Sequence, residues 1–185
     1  MESLDWVELS NADLEPPTWT GLPDGHVEPL LLSIGSFITE WEQMLSDAAE
    51  LYDLLATYPH SDSTRIAFDA FCRISSPLGQ AAAIRTASKR ARIPIEYQSK
   101  VEKIGVWLEK ITPQRNNIAH GRVYKLGPNA FCLAPNNVSV KKWHPYGDAK
   151  YQLNSQLNAK TMKVLRTLHD DMLWLIKEIS VSDQL

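Results

Sequence analysis

Apolar residues recur at intervals of three and four through two long stretches of this chain. One stretch runs from about His26 to Tyr58, and the other runs from about Gln156 to Ile179. This spacing puts the apolar side chains on one face of an α-helix, so each stretch predicts a long amphipathic helix. Further segments of helical spacing lie between them, and the fold class predicted is therefore mainly α.

The chain between these two helices first predicts two shorter helices that meet at Pro77. Asp62 or Ser63 suits the N-cap of the earlier one, because a short polar side chain satisfies a free backbone donor there. Proline inside a helical pattern removes a donor and breaks or kinks the helix. The residues from Leu78 to Arg90 are therefore expected to continue as a separate helix.

Another long helix is predicted from Pro94, which suits the first turn of a helix. Pro113 falls inside this stretch, and two interpretations are open. Either Pro113 distorts one continuous helix, or Thr112 caps a fresh short helix with Pro113 at its first position. Gly121 is well placed to end this part of the chain in a left-handed conformation.

Residues 122–154 differ in character and predict a small β-hairpin or meander inserted before the last helix. Turn sequences separate three short β-like runs in this segment. The runs are Arg122–Lys125, Ala130–Leu133 and Val138–Lys141. Residues 1–26 contain three prolines, two glycines and two tryptophans, and they predict an extended acidic arm. The predicted organisation is therefore this arm followed by a helical domain over residues 27–185.

Acidic and basic residues are distributed unevenly along the chain. Residues 1–64 contain thirteen Asp or Glu and no Lys or Arg, whereas residues 65–185 contain nineteen Lys or Arg and nine Asp or Glu. A basic surface favours a polyanion such as RNA as a partner. Two other interpretations are open: the acidic segment folds against the basic part, or both are solvated faces. A further hypothesis is that the arm over residues 1–26 masks a basic cleft.

A basic run indicates where RNA phosphates would bind, because cations on one surface neutralise the RNA backbone. The residues assigned to RNA binding are Arg85, Lys89, Arg90, Arg92 and Arg122. The alternative for the run is a solvated helix face. His169, which is followed by two aspartates, lacks the spacing of a metal site and is interpreted as part of another solvated face.

The two cysteines, Cys72 and Cys132, are far apart and form no CxxC pair. Neither a disulfide framework nor a zinc site is therefore expected, no cofactor is predicted, and both thiols are expected to be buried. The first basic residue is Arg65, so the basic start of a secretory signal is missing. The longest apolar stretch, Leu30–Ile38, is too short to span a bilayer. These features predict a cytoplasmic protein without a membrane partner.

The most specific segment of the chain is Thr112-Pro113-Gln114-Arg115-Asn116-Asn117-Ile118-Ala119-His120-Gly121. His120 can transfer a proton near neutral pH, and Arg115 can hold a phosphate with two parallel hydrogen bonds. This pair suits metal-free RNA cleavage, in which the ribose 2′-OH attacks the adjacent phosphorus and leaves a 2′,3′-cyclic phosphate. Five residues correspond to about 140° of helical rotation, so Arg115 and His120 do not share a face of one straight helix. Either the last turn unwinds at Gly121, or the two groups converge on a groove formed with another copy. Asn116 and His120 do share a face.

The run Arg115-Asn116-Asn117-Ile118-Ala119-His120-Gly121 resembles the R-x(4–6)-H motif of HEPN domains, in its RNxxAHG form. The resemblance covers roughly residues 27–179 and implies an α-helical bundle that forms a homodimer with two motifs facing one cleft. It also implies a metal-independent endoribonuclease of toxin–antitoxin, phage-defence or RNA-processing systems, with an antitoxin or regulatory protein as a further partner. Arg115 and His120 would be the catalytic pair, with Asn116 as a polar support.

Two other roles are open for this motif. HEPN-like domains without nuclease activity serve as binding or dimerisation modules. Alternatively, Arg115 and His120 cap free carbonyls at the helix C-terminus and interact with its dipole. HEPN toxins paired with nucleotidyltransferase antitoxins carry a tyrosine two residues after the histidine, where this chain has Arg122. Regulation by nucleotidylation of that position is therefore not expected.

Overall fold

The structure is a computed structural model that describes residues 27–59, 65–127, 130–134 and 155–182. Within these ranges the chain is mainly helical, which confirms the predicted fold class. None of the described helices combines the length and the apolar character that crossing a lipid bilayer requires. The elements are α1 (Val27–Thr57), α2 (Ile66–Cys72), α3 (Pro77–Arg90), α4 (Ile95–Ala119), β1 (Arg122–Gly127), β2 (Ala130–Ala134) and α5 (Ser155–Ser182).

Proline and a polar cap set the boundary between α2 and α3. Pro77 is the first residue of α3, where the missing amide hydrogen has little cost. The Ser76 hydroxyl oxygen accepts a hydrogen bond from the Gly79 amide at 3.0 Å. A Cβ at position 79 would lie 2.8 Å from Cγ2 of Ile74, so glycine is required for this close turn. The predicted break at Pro77 is confirmed.

Two predictions about α2 are wrong. Arg65 occupies the N-cap in a left-handed conformation with φ 55°, and it makes no side-chain capping hydrogen bond. Asp62 and Ser63, which were expected to cap this helix, lie outside the described residues. Cys72 is exposed rather than buried, because the neighbouring Phe71 takes the core position of this last turn.

Helix α4 continues through Pro113 and ends at Ala119. The Thr112 hydroxyl donates to the Leu108 carbonyl at 2.7 Å, a bond that is common inside helices. Because proline has no amide hydrogen, the Glu109 carbonyl lacks its usual helical donor. The interpretation that Thr112 caps a fresh helix is therefore wrong.

The described residues form two compact units. Unit 1 comprises residues 42–59, 65–112 and 165–182. Unit 2 comprises residues 27–41, 113–127, 130–134 and 155–164.

Unit 1 is a bundle of helical segments around an apolar core. Tyr52 of α1 packs on Phe71 of α2 with ring centroids 5.2 Å apart. Tyr97 of α4 meets Trp174 of α5 edge-on at 5.8 Å. Removal of such side chains from water is the main term that favours folding. The largest enclosed side chains of this unit are Met44, Leu51, Leu55, Phe71, Ile84, Ile104, Leu108, Ile111 and Leu165.

Unit 2 contains the two strands. β1 and β2 pair antiparallel, with Arg122 opposite Ala134, in the segment for which the sequence predicts an insert. The third predicted β-like run, Val138–Lys141, lies outside the described residues, as do the arm over residues 1–26 and the side chain of Cys132.

The apolar interior of unit 2 includes two aromatic residues one turn apart on α1. Phe37 and Trp41 are both fully buried, and their rings stack with centroids 6.3 Å apart. The indole N–H of Trp41 has no hydrogen-bond partner among the described residues. An unpaired buried donor is unfavourable, so Trp41 stabilises this unit through its apolar area.

Candidate functional site

The predicted motif occupies the last turns of α4 and the residue that follows, in unit 2. Ile118 is 5% exposed and anchors this turn in the interior. Asn116 and His120 are exposed, and Arg115 is half-buried. One buried apolar residue thus holds a turn that presents three polar side chains.

Asn116 and His120 lie one helical turn apart, as the rotation of an α-helix predicts. The His120 amide donates to the Asn116 carbonyl at 3.0 Å. Because α4 ends at Ala119, His120 lies in the turn that follows the helix. Its exposed imidazole is therefore accessible to a ligand and to water.

Arg115 makes one long hydrogen bond and leaves another donor unused. Its Nη1 donates to Oδ1 of Asn116 at 3.4 Å, beyond the usual range for such bonds. Its Nε is buried and has no partner within the part of the chain that the structure describes. No carboxylate of the described residues pairs with this guanidinium, so its charge is available to an anion such as phosphate.

Asn116 contacts both residues of the predicted catalytic pair, through a long side-chain bond to Arg115 and a helical backbone bond to His120. Its side chain accepts from Arg115, and its carbonyl accepts from the backbone of His120. The imidazole supplies a group for proton transfer, and the guanidinium supplies positive charge for a phosphoryl oxygen. The roles assigned to these three residues stay predictions.

The residues assigned to RNA binding differ in what they contact, and Arg85 is already paired. Its Nη2 lies 2.7 Å from Oε1 of Glu102, and its Nη1 lies 2.7 Å from Oε1 of Glu109. Hydrogen bonding to Glu102 is the main reason why the pKa of Arg85 is raised. A phosphate would have to displace two carboxylates to bind this guanidinium.

The stem of Arg85 crosses α4 at Gly105. A Cβ at position 105 would lie 2.4 Å from Cγ and 2.5 Å from Cδ of Arg85. Only glycine leaves room for this side chain, whose far end is held by two carboxylates. We call Arg85, Glu102, Gly105 and Glu109 the arginine clamp, and it joins α3 to α4.

The other basic residues near the end of α3 are accessible. Lys89 and Arg90 lie in the last turn of α3, Arg92 follows it, and all three are exposed. Within the described residues, no acidic side chain pairs with any of them. Arg122 is the first residue of β1, and its side chain lies outside the described residues. The assignment of these four residues to RNA stays a prediction.

A contact between α1 and α5 in unit 1 was not predicted from the sequence. Asp47 is 4% exposed, and its Oδ2 is hydrogen-bonded to Nδ1 of His169. Its Oδ1 accepts from Nε2 of Gln43 at 3.4 Å. The available signal was the position of Asp47 at helical spacing from the buried Met44 and Leu51. The interpretation of His169 as part of a solvated face is wrong.

A further polar cluster lies between α4 and α5 around Trp174. The Lys100 ammonium lies 3.5 Å from the centroid of the Trp174 ring, a cation–π contact, and burial lowers the pKa of Lys100. Burial also raises the pKa of the Asp171 carboxyl to about 7, although the charge of Lys100 opposes this shift. Asp171 therefore changes its charge close to neutral pH.

No group of three or more His, Cys, Asp or Glu side chains within the described ranges is arranged to hold a metal ion. Comparison of the chain with models of protein families, with curated proteins and with solved structures finds no match.

Proposed function

We propose that this chain is a metal-independent endoribonuclease of the HEPN type that acts as a homodimer. The observation that carries the proposal is the arrangement of Arg115, Asn116 and His120 on a turn anchored by Ile118. The guanidinium has no carboxylate partner among the described residues, and the imidazole is exposed. The resemblance of this run to the RNxxAHG form of the HEPN motif supports the same conclusion.

In the proposed reaction His120 takes the proton from a ribose 2′-OH, and the 2′-oxygen attacks the adjacent phosphorus. Arg115 stabilises the negative charge that grows on the phosphoryl oxygens. The bond between phosphorus and the 5′-oxygen breaks, and His120 returns the proton to that leaving oxygen. The products are a 2′,3′-cyclic phosphate and a 5′-OH.

A second copy of the chain is part of the proposal because no contact among the described residues joins the guanidinium of Arg115 to the imidazole of His120. On an ideal helix their separation would correspond to about 140° of rotation. Two motifs that face one cleft would let the guanidinium of one protomer and the imidazole of the other act on the same phosphate. The setting would be the cytoplasm, in a toxin–antitoxin or defence system with an antitoxin or regulatory protein as partner.

The test is incubation of the purified full-length chain with RNA in EDTA, followed by analysis of the product ends. We expect 2′,3′-cyclic phosphate and 5′-OH ends, and we expect His120→Ala to slow cleavage at least about a hundredfold. Lys177→Ala, which removes an exposed side chain from α5, is the control and should cleave like the parent. Intact RNA, or equal cleavage by His120→Ala, would overturn the proposal.

An exposed apolar patch on α1 in unit 2 favours a second candidate function, a non-catalytic HEPN-like module that dimerises or binds a partner. Leu31 and Leu32 are 50% and 71% exposed. A Cβ at Gly35 would meet no atom within 4 Å, so this side of the helix is open. Contiguous apolar surface of this kind is typical of protein–protein contacts.

This second function predicts intact RNA together with self-association through the patch. Sedimentation velocity of the parent should give a dimer, and Leu32→Glu should give a monomer because a charge would be buried in the contact. Glu28→Gln, at an exposed position of the same helix, is the control and should stay dimeric. A chain that neither cleaves RNA nor self-associates would contradict both functions.

A further inference from the structure

A cavity of about 410 Å³ lies in unit 1 between the end of α1 and helix α3. Its volume falls in the range of sites that bind small molecules. Tyr52 and Tyr58 contribute to its α1 side, and Arg90 lies at the end of its α3 side. It is separate from the residues of the arginine clamp, none of which lines it.

The residues of α3 that line this cavity before Arg90 are all small. Gly79, Ala83 and Ala87 follow one another at intervals of four along this wall. Because these residues have at most one side-chain carbon, a flat group can approach the helix closely. The α1 side contributes two tyrosines, and we call this lining, aromatic on the α1 side and small on the α3 side, the slot.

Three residues that line the cavity carry polar groups without a partner among the described residues. They are the hydroxyls of Tyr52 and Tyr58 and the guanidinium of Arg90. The hydroxyl of Thr86, which also lines the cavity, is by contrast bonded to the Ala82 carbonyl at 2.8 Å. A few unused polar groups among the lining residues are the usual polar component of a ligand site.

The charge of the cavity favours an anion. Arg90 lines it, and the exposed residues Lys89 and Arg92 lie within two positions of Arg90 in the sequence. No acidic side chain of the described residues contributes to the lining. Arg85, five residues before Arg90 on the same helix, has its charge neutralised by Glu102 and Glu109. Helix α3 therefore carries one arginine that two carboxylates hold and, in its last turn, a second arginine whose charge is available to a ligand.

We propose that this cavity binds a nucleotide of single-stranded RNA, with the base against the tyrosine side chains and a phosphate on Arg90. Each RNA nucleotide supplies both a planar face and an anion, and these match the slot and its cation. An acidic peptide supplies the charge without the planar face. The proposal rests on RNA as the ligand of the proposed function, but it does not require cleavage.

The test uses the full-length chain with His120→Ala, which separates binding from cleavage. A short fluorescein-labelled single-stranded RNA is titrated in EDTA, and anisotropy gives Kd at several salt concentrations. Arg90→Gln should weaken binding about tenfold and reduce the slope of log Kd against log salt by about one. Lys177→Gln removes the same charge from an exposed site on α5 and should change neither quantity.

A second pair of variants tests the slot itself. Ala83→Leu places a larger side chain in the cavity and should weaken binding by about tenfold or more, a loss comparable to that of one stacked base. Ala70→Leu adds the same atoms at an exposed position of α2 that does not line the cavity, and it should bind like the parent. Tyr58→Phe should keep the stacking contribution that Tyr58→Ala loses.

The outcomes separate this site from the nuclease. Binding that depends on Arg90 and Ala83 supports the nucleotide site even if the parent cleaves no RNA. Parental affinity in both Arg90→Gln and Ala83→Leu, with folding verified by circular dichroism, overturns it even if the parent cleaves RNA. Displacement of the RNA by an acidic peptide that then binds more tightly would also overturn it, because the slot would belong to a protein partner.

Discussion

The arginine clamp of unit 1 and the motif turn of unit 2 both present a guanidinium, but they use it differently. The donors of Arg85 meet two carboxylates at 2.7 Å. Arg115 has one bond of 3.4 Å to a neighbouring amide, and its Nε is unpaired among the described residues. A basic run alone therefore does not identify a ligand site. The carboxylates around each cation determine whether its charge is available.

The largest expected effect separates the two arginines directly. Arg115→Ala should lower kcat/KM for RNA about a hundred- to thousandfold, because a single group that stabilises the transition-state charge contributes about that much, and its melting temperature should stay close to that of the parent. Arg85→Ala should lower the melting temperature and leave the cleavage rate per folded molecule unchanged. Initial cleavage rates and melting temperatures, measured on the same preparations of each variant, test both expectations. Activity lost in Arg85→Ala without a change in melting temperature would contradict the comparison.

Stability should depend more on the contact between Asp47 and His169 than on the arginine clamp, because the Asp47 side chain is 6% exposed whereas those of Glu102 and Glu109 are 38% and 37% exposed. His169→Ala leaves the Asp47 carboxylate enclosed without its main partner, and we expect the free energy of unfolding to fall by about 3 kcal/mol. The double substitution Asp47→Leu with His169→Leu should recover much of this loss, since it leaves no enclosed charge. Urea denaturation measures both. A loss in the double variant as large as in His169→Ala would show that the pair is not the cause.

Substitution of Gly105 tests how firmly the arginine clamp holds the side chain of Arg85 in place. Gly105→Ala should destabilise the chain by about 1–3 kcal/mol, because the new methyl group overlaps an arginine stem that cannot move away. In the Arg85→Ala background the same substitution should be neutral or stabilising, since alanine favours helix more than glycine does. A double-mutant cycle from urea denaturation gives the coupling. An equal loss of unfolding free energy in both backgrounds would show that the new methyl group does not overlap the stem of Arg85.

The smallest expected effect concerns Asp171, a carboxyl that is desolvated although Lys100 lies nearby. Its folded-state pKa of about 7 exceeds the ordinary value of 3.8, so the folded chain holds a proton that the unfolded chain has released. Stability therefore falls as pH rises from about 4 to about 7. Because the group is only partly buried, Asp171→Asn should stabilise the chain by about 1 kcal/mol above neutral pH and by almost nothing near pH 4.

Urea denaturation across this pH range measures the effect of Asp171→Asn. Glu50→Gln, which removes an exposed carboxylate from α1, is the matched control and should not reproduce the pH dependence. A gain that is equal at all pH values would indicate a change in packing rather than the loss of a titrating group.

The long helices could be predicted from the sequence because burial of one helical face requires a regular spacing of apolar residues. The stretch from about His26 to Tyr58 became α1, Val27–Thr57. The start of α2 could not be predicted in this way, since Arg65 adopts a left-handed conformation that no local polar pattern indicates. Local spacing thus predicts regular segments and fails where one backbone conformation is unusual.

For the candidate site, the sequence predicted what lies on one helix and missed what two helices share. The one-turn relation of Asn116 and His120 follows from helical rotation alone. The partners of Arg85 lie 17 and 24 residues away, and His169 lies 122 residues from Asp47. Such contacts depend on how the helices pack, which no single-helix rule specifies.

Pro113 has a mechanical consequence for the turn that carries the motif. The Glu109 carbonyl lacks a helical donor there, and the hydroxyl of Thr112 supports only the Leu108 carbonyl. Helices bend most readily where a backbone hydrogen bond is missing. The compliance of α4 is therefore greatest just before Arg115, at the start of the turn that carries the motif.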